Sequence, residues 1–217
     1  MALFARESRI RLAPLEPMID GREVGLGKYM LLGDGIMLNT DSGFRMAYRK
    51  GEGVTVDRPA NAEDSEQALW LNGTIYAAIA AINGYYPIHA SAVAAGGKVF
   101  AFTGQGGAGK STLVAELGRR GLPMFCDDTL ILDISDPEQI LCLPGHKRLK
   151  LWPEALELTG AAVQEEIGSD YGKYFAEPPG GSVAQILPLA ELCFLEVGEP
   201  ARFEPVLGGG KGVAADR

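Results

Sequence analysis

Short apolar runs separated by glycine and aspartate open the chain. Within residues 8–57, Gly33-Asp34-Gly35 and Asp41-Ser42-Gly43 punctuate runs such as Tyr29-Met30-Leu31-Leu32 and Phe44-Arg45-Met46-Ala47-Tyr48, the pattern of brief strands joined by tight turns. It predicts a small antiparallel β subdomain over residues 1–60, which shows no recognisable chemistry and reads as a platform or a partner-docking surface. From residue 64 the period changes. Leu71, Ile75, Ile79 and Ile82 recur at helical spacing, with Asp64 or Ser65 placed to cap the helix and Gly84 and Pro87 to end it. An apolar stripe of this kind predicts a core helix rather than a cofactor box. Residues 89–93 and 98–103 then read as strands, 113–120 as a helix stopped by Gly121, and 122–126 as a further strand, giving a β–loop–α–β unit. Pro178-Pro179-Gly180-Gly181 reads as an exposed turn, and no internal repeat or low-complexity segment is present. Residues 61–217 form the second unit of this reading.

Between the 98–103 strand and its helix, Gly104-Gln105-Gly106-Gly107-Ala108-Gly109-Lys110-Ser111 satisfies G-x-x-x-x-G-K-[ST] in the strand-to-helix setting that this motif requires. Glycines let successive amides turn inward without Cβ clashes, so the loop is predicted to form a nest of N–H donors at the positive end of a helix. Lys110 is placed to reach the β- and γ-phosphates of ATP. The Ser111 hydroxyl is placed to enter a Mg2+ shell, with Thr112 a weaker second hydroxyl. Asp127 and Asp128 follow the next strand directly. Neighbouring strand residues face opposite ways, so the pair divides its labour: one carboxylate holds the metal and the other orients an acceptor hydroxyl and takes its proton. His89 stands one strand before the loop, where a lone histidine more often belongs to the core than to catalysis. His146 is in a weaker position still. The cations of Pro144-Gly145-His146-Lys147-Arg148-Leu149-Lys150-Leu151-Trp152 either hold phosphate or an acidic substrate, or form a solvated strand face.

Composition narrows the alternatives. The chain has 217 residues, 47% of them hydrophobic and 22% charged, enough to bury a core without disulfides or a structural metal. Twenty lysines and arginines against 28 acidic residues leave a net charge of −8, which repels nucleic acid and anionic membrane at long range but not a nucleotide held by local amides, lysine and magnesium. Cys126, Cys142 and Cys193 are too few and too widely spaced for a disulfide framework or a zinc site, and read as reduced core thiols. The first residues lack the apolar stretch of a signal peptide and residues 74–82 are too short to span a bilayer, so the expected location is the cytoplasm.

Together, His89-Ala90-Ser91-Ala92-Val93, the loop ending in Gly109-Lys110-Ser111-Thr112, and Cys126-Asp127-Asp128 resemble the catalytic domain of HPr serine kinase/phosphorylase in order and spacing. The segment from Pro144 to Trp152 more closely resembles HPr-kinase-like proteins of ribosomal peptide biosynthesis, including lasso-peptide kinases. The resemblance implies an α/β, P-loop-containing, HPr kinase/PEP carboxykinase-like core with the small N-terminal β subdomain. It implies Asp127 as base for an acceptor serine, Asp128 and Ser111 as metal ligands, and His89 and Lys110 at the catalytic centre. The expected activity is ATP-dependent phosphorylation of a serine on a peptide or small protein, with ATP and Mg2+ as cofactors and a homo-oligomer as the assembly. Two other readings stay open: a nucleotide-binding regulatory module without transfer activity, and a small-metabolite kinase. The glycine-rich segment that supports dephosphorylation in the bifunctional enzymes is not found, so phosphorylase activity is left out of the expectation. Residues 207–217 replace helices that related proteins carry, which reads as a shortened C-terminus.

Overall fold

Alternation becomes burial in the N-terminal half. A computed structural model of the protein describes residues 2–199 and 202–206; the 207–217 segment lies outside the described residues. Five strands form one sheet in the order Ile10–Leu12, Gly53–Asp57, Arg45–Arg49, Gly35–Asn39, Lys28–Leu31. All neighbours run antiparallel except Ile10–Leu12, which lies parallel to Gly53–Asp57. In the Arg45–Arg49 strand Met46 and Tyr48 are buried while the residues between them are half-buried, the period of two that a single core-facing surface imposes. The Gly35–Asn39 strand is buried along its whole length. Its second face is covered where Met37 packs with Ile19 and Val24, beside a ribbon of Met18–Ile19 and Arg22–Glu23.

The predicted helix exists, with an interruption the stripe does not show. It runs as Asp64–Trp70, then a π-helical turn Leu71–Ile75, then Tyr76–Ile82. Ile75 and Ile79 are buried, and Leu71 and Ile82 pack against the same cluster at its margin. The cap differs from expectation: Glu63, extended at φ −93 and ψ 138, holds that position. Asp64 instead pairs with Arg58 at 2.6 Å, and Ser65 Oγ accepts the Gly168 amide at 3.2 Å. The apolar face of this helix meets Ile36, Leu38, Met46, Tyr48, Val54 and Val56 of the N-terminal sheet, Phe44 just before the Arg45–Arg49 strand, and Ile131 and Leu143 from further along the chain, in one cluster.

A seven-stranded mixed sheet forms the second layer, in the order Met124–Cys126, Ala90–Ala95, Lys98–Gly104, Leu187–Leu195, Leu141–Leu143, Leu130–Asp133, Tyr86–Ile88. Lys98–Gly104 runs parallel to Leu187–Leu195 and antiparallel to Ala90–Ala95. The last-named strand also pairs antiparallel with Met124–Cys126. Tyr86–Ile88 closes the far edge although only His89 separates it from Ala90–Ala95. One residue spans only a few ångströms, so the sheet must curl until its two sides nearly meet at His89. This corrects one expectation: His89 is the joint between two strands rather than part of one. A third sheet, Leu149–Leu151, Lys173–Ala176, Val163–Ile167, stands beside it. The whole is a mixed α/β fold of several sheets.

Candidate functional site

The glycine loop is shaped by its backbone. Lys98–Gly104 ends against Leu195, where a Cβ on Gly104, at φ 152, would stand 2.5 Å from the Leu195 carbonyl oxygen. Gly107 at φ 83 and Gly109 at φ 88 then turn the chain into the ten-residue helix Lys110–Arg119, conformations that favour glycine. The Ala108 amide donates to the Gln105 carbonyl at 3.2 Å and closes the turn. Gly106, Gly107, Gly109, Lys110, Ser111 and Thr112 line a cleft of about 700 Å3, into which the first turn of the helix presents amides that no helical carbonyl satisfies. The Lys110 ammonium folds over the loop, donating to the carbonyls of Gly104 at 2.9 Å and Gln105 at 3.0 Å.

The paired aspartates take up different settings. Asp127 is buried, and both its oxygens are engaged: Ser91 Oγ and Ser111 Oγ donate to Oδ1 at 2.6 and 2.8 Å, and the Lys150 amide donates to Oδ2 at 2.8 Å. Asp128 sits at φ 71, a left-handed backbone that residues with a Cβ seldom adopt. That turn sends its carboxylate into the cleft, where Lys150 Nζ lies 2.5 Å from Oδ2. Burial alone would raise the Asp128 carboxyl; the Lys150 ammonium, with smaller contributions from His89 and Lys173, holds it below the ordinary carboxylate value. His89 Nδ1 lies 2.8 Å from the Asp128 carbonyl oxygen and 3.5 Å from its carboxylate, while the His89 carbonyl accepts from Thr103 Oγ1 at 2.9 Å. A hydrogen on Nδ1 donating to that carbonyl leaves Nε2 unprotonated in the neutral ring. The three blocks recognised in the sequence therefore converge on one cleft.

The cation-rich segment divides by residue. Lys147 donates to the Phe125 carbonyl at 2.7 Å and to that of Val183, and its burial brings its pKa down to about 8. Arg148 stacks on the Phe175 ring at 3.8 Å and pairs with Glu165. His146 is packed against Phe175; burial, with the charge of Arg148 beside it, lowers its pKa to about 4. Of these four only Lys150 lines the cleft.

Several lining residues carry no motif. Lys173 enters from the third sheet with its ammonium 4.8 Å from the centre of the Trp152 ring, and both line the cleft. Opposite stands the π-helical turn. Gly73 lets it approach Asp128: a Cβ there would lie 3.4 Å from Oδ2. Thr74, Trp70 and Tyr171 complete that wall, with the Tyr171 hydroxyl and the Trp70 indole both donating to Glu66 at 3.2 Å. The stripe that identified the helix as core was correct for one face and silent about the other. All three cysteines are free, two of them buried. No helix among the described residues is long and apolar enough to cross a membrane.

No family model and no curated protein matches the chain. Among solved structures it is similar to the HPr(Ser) kinase/phosphatase from Coxiella burnetii, with 17% sequence identity and a TM-score of 0.36, over 55% of this chain and 71% of that one.

Proposed function

We propose that the protein is a phosphotransferase that binds ATP with magnesium on a P-loop at residues 104–111 and passes the γ-phosphoryl group to a serine hydroxyl on a peptide or small protein. The observation that carries this reading is the split between the aspartates: Asp127 is buried and locked to the loop serine, while Asp128 is free of that serine and lines the cleft. Loop amides and Lys110 suit the phosphates. Among the described residues no three His, Cys, Asp or Glu side chains cluster as a metal site. The Ser111 hydroxyl and the aspartate carboxylates are hard oxygen donors, a set that fits Mg2+, which takes few protein ligands and completes its shell with water and phosphate oxygens. When bound, that ion neutralises charge on the phosphate oxygens.

On this reading the roles of the aspartates are the reverse of those the family resemblance implies. Asp127, with both oxygens taken, holds Ser111 in place and supports the metal. Asp128 receives the acceptor proton, and His89, bonded to its carbonyl, fixes the left-handed turn that aims it. The serine acceptor is supported by the resemblance of the three sequence blocks.

Calorimetry with ATP and transfer of label from γ-labelled ATP to serine-containing peptides test the proposal. Lys110→Ala is expected to weaken ATP binding by roughly a hundredfold, as loss of a charge-assisted contact to phosphate would. Asp128→Asn is expected to retain binding and slow transfer by roughly 10²- to 10⁴-fold, the scale of general-base loss. Absence of ATP binding by the unaltered protein overturns the proposal; binding without label on any serine replaces it with a nucleotide-binding module.

A further inference from the structure

The cleft holds a second ammonium that the phosphate motif does not contain. Lys150 is tied to both aspartates at once: its amide donates to Asp127 Oδ2 at 2.8 Å, and its Nζ pairs with Asp128 Oδ2 at 2.5 Å. The side chain is only 13% exposed, so it is confined to the cleft that Gly106, Gly107 and Ser111 also line. Its neighbours in sequence cannot share its task, since Lys147 is bonded to the Phe125 and Val183 carbonyls and Arg148 to Glu165. Lys173 already has the Trp152 ring beneath it.

We infer that Lys150 is a catalytic residue that gives up its ion pair with Asp128 for the γ-phosphate of ATP, and so distinguishes triphosphate from diphosphate. The inference rests on the nucleotide reading above. Two facts support it. The hydrogen bond from the Lys150 amide to Asp127 anchors the main chain of Lys150 beside the carboxylate that holds Ser111, fixing the base of a flexible stem whose ammonium can turn from one partner to another. Its present partner carries one negative charge, whereas a terminal phosphate brings more charge and three acceptor oxygens to the same cleft. In the transfer, the acceptor oxygen bonds to the γ-phosphorus as the bond from that phosphorus to the β–γ bridging oxygen breaks. The electron pair of that bond leaves with ADP, and the acceptor proton passes to Asp128. Lys150 stays with the transferring oxygens, where charge is spread in the transition state.

The experiment is calorimetric titration of the full chain with magnesium and either ADP or the non-hydrolysable imido analogue of ATP. Lys150→Met keeps the backbone hydrogen bond to Asp127 and removes only the ammonium; Lys150→Arg restores a cation. The ratio of the ADP to the triphosphate dissociation constant is expected to fall about tenfold in Lys150→Met, the scale of one charge-assisted contact, and to recover at least in part in Lys150→Arg. If Lys150→Met binds both nucleotides as the unaltered protein does, or weakens both equally, the inference is overturned while the nucleotide reading survives. If the unaltered protein binds neither nucleotide, the reading beneath it falls first.

Discussion

Asp127 and Asp128 are consecutive, yet the backbone gives them opposite environments: the first turns inward to two serine hydroxyls and an amide, the second at φ 71 turns out toward Lys150 and His89. A similar one-residue contrast exists among the glycines. A Cβ at Gly104 would meet the Leu195 carbonyl at 2.5 Å, whereas one at Gly106 would meet nothing within 4 Å. Gly104→Ala is therefore expected to cost roughly 2 kcal/mol or more, because a backbone pair must separate and a strained φ must be held, while Gly106→Ala leaves stability within about 0.5 kcal/mol. Urea denaturation of the two variants, read at the transition midpoint, checks the pair; equal midpoints would contradict the packing at Leu195. His146 gives a second residue-scale prediction. Its folded pKa, about 4, lies below the ordinary 6.5 because burial and then Arg148 oppose its charge. Between those values the unfolded chain binds more protons than the native one, so this contribution to stability is present above pH 6.5 and is lost as pH falls toward 4. Thermal unfolding measured at intervals between pH 6.5 and 4.5 should show a falling midpoint, and His146→Phe should flatten that slope.

At the scale of elements, legibility depends on how local the cause is. The loop was readable because a single strand-to-helix turn contains the glycines, Lys110 and Ser111 within eight consecutive residues, and its shape is a property of its own backbone. His89 and the aspartates were readable as blocks, but their settings were not: those depend on a sheet that curls until the ends of Tyr86–Ile88 and Ala90–Ala95 meet at His89. Lys150 stood in a visible cluster of cations, yet nothing in the spacing separated it from Lys147 and Arg148, whose partners are Phe125, Val183 and Glu165 in distant elements. Lys173, Trp152 and Tyr171 reach the cleft only because the third sheet is set beside it. The π-helical turn Leu71–Ile75 was hidden because Ile75 and Ile79 stay buried across it. A π turn inserts an extra residue into the register; here Gly73, within that turn, faces Asp128.

At the scale of the molecule, the N-terminal sheet and the cleft are joined by the helix between them. Met46 and Tyr48 from that sheet with Phe44 just before their strand, Ile75 and Ile79 from the helix, and Ile131 and Leu143 from the curled sheet form one buried cluster, against which Trp70 also packs. Trp70 lines the cleft as well, so one side chain touches both the core and the proposed nucleotide site. A perturbation in the sheet should therefore be felt at the cleft as a loss of the whole structure rather than of one part. Phe44, fully buried, is the test position: Phe44→Ala removes a large apolar side chain and is expected to cost about 3–5 kcal/mol through lost burial and the cavity left behind. Because the cluster is shared, far-ultraviolet circular dichroism, which follows both sheets, and tryptophan fluorescence, which follows Trp70 and Trp152 at the cleft, should move to lower urea by the same amount and coincide. If the dichroism splits into two transitions while fluorescence keeps its original midpoint, the N-terminal sheet unfolds on its own. The strands before residue 60 would then be a separate unit attached to the cleft rather than the floor on which the cleft-lining helix rests.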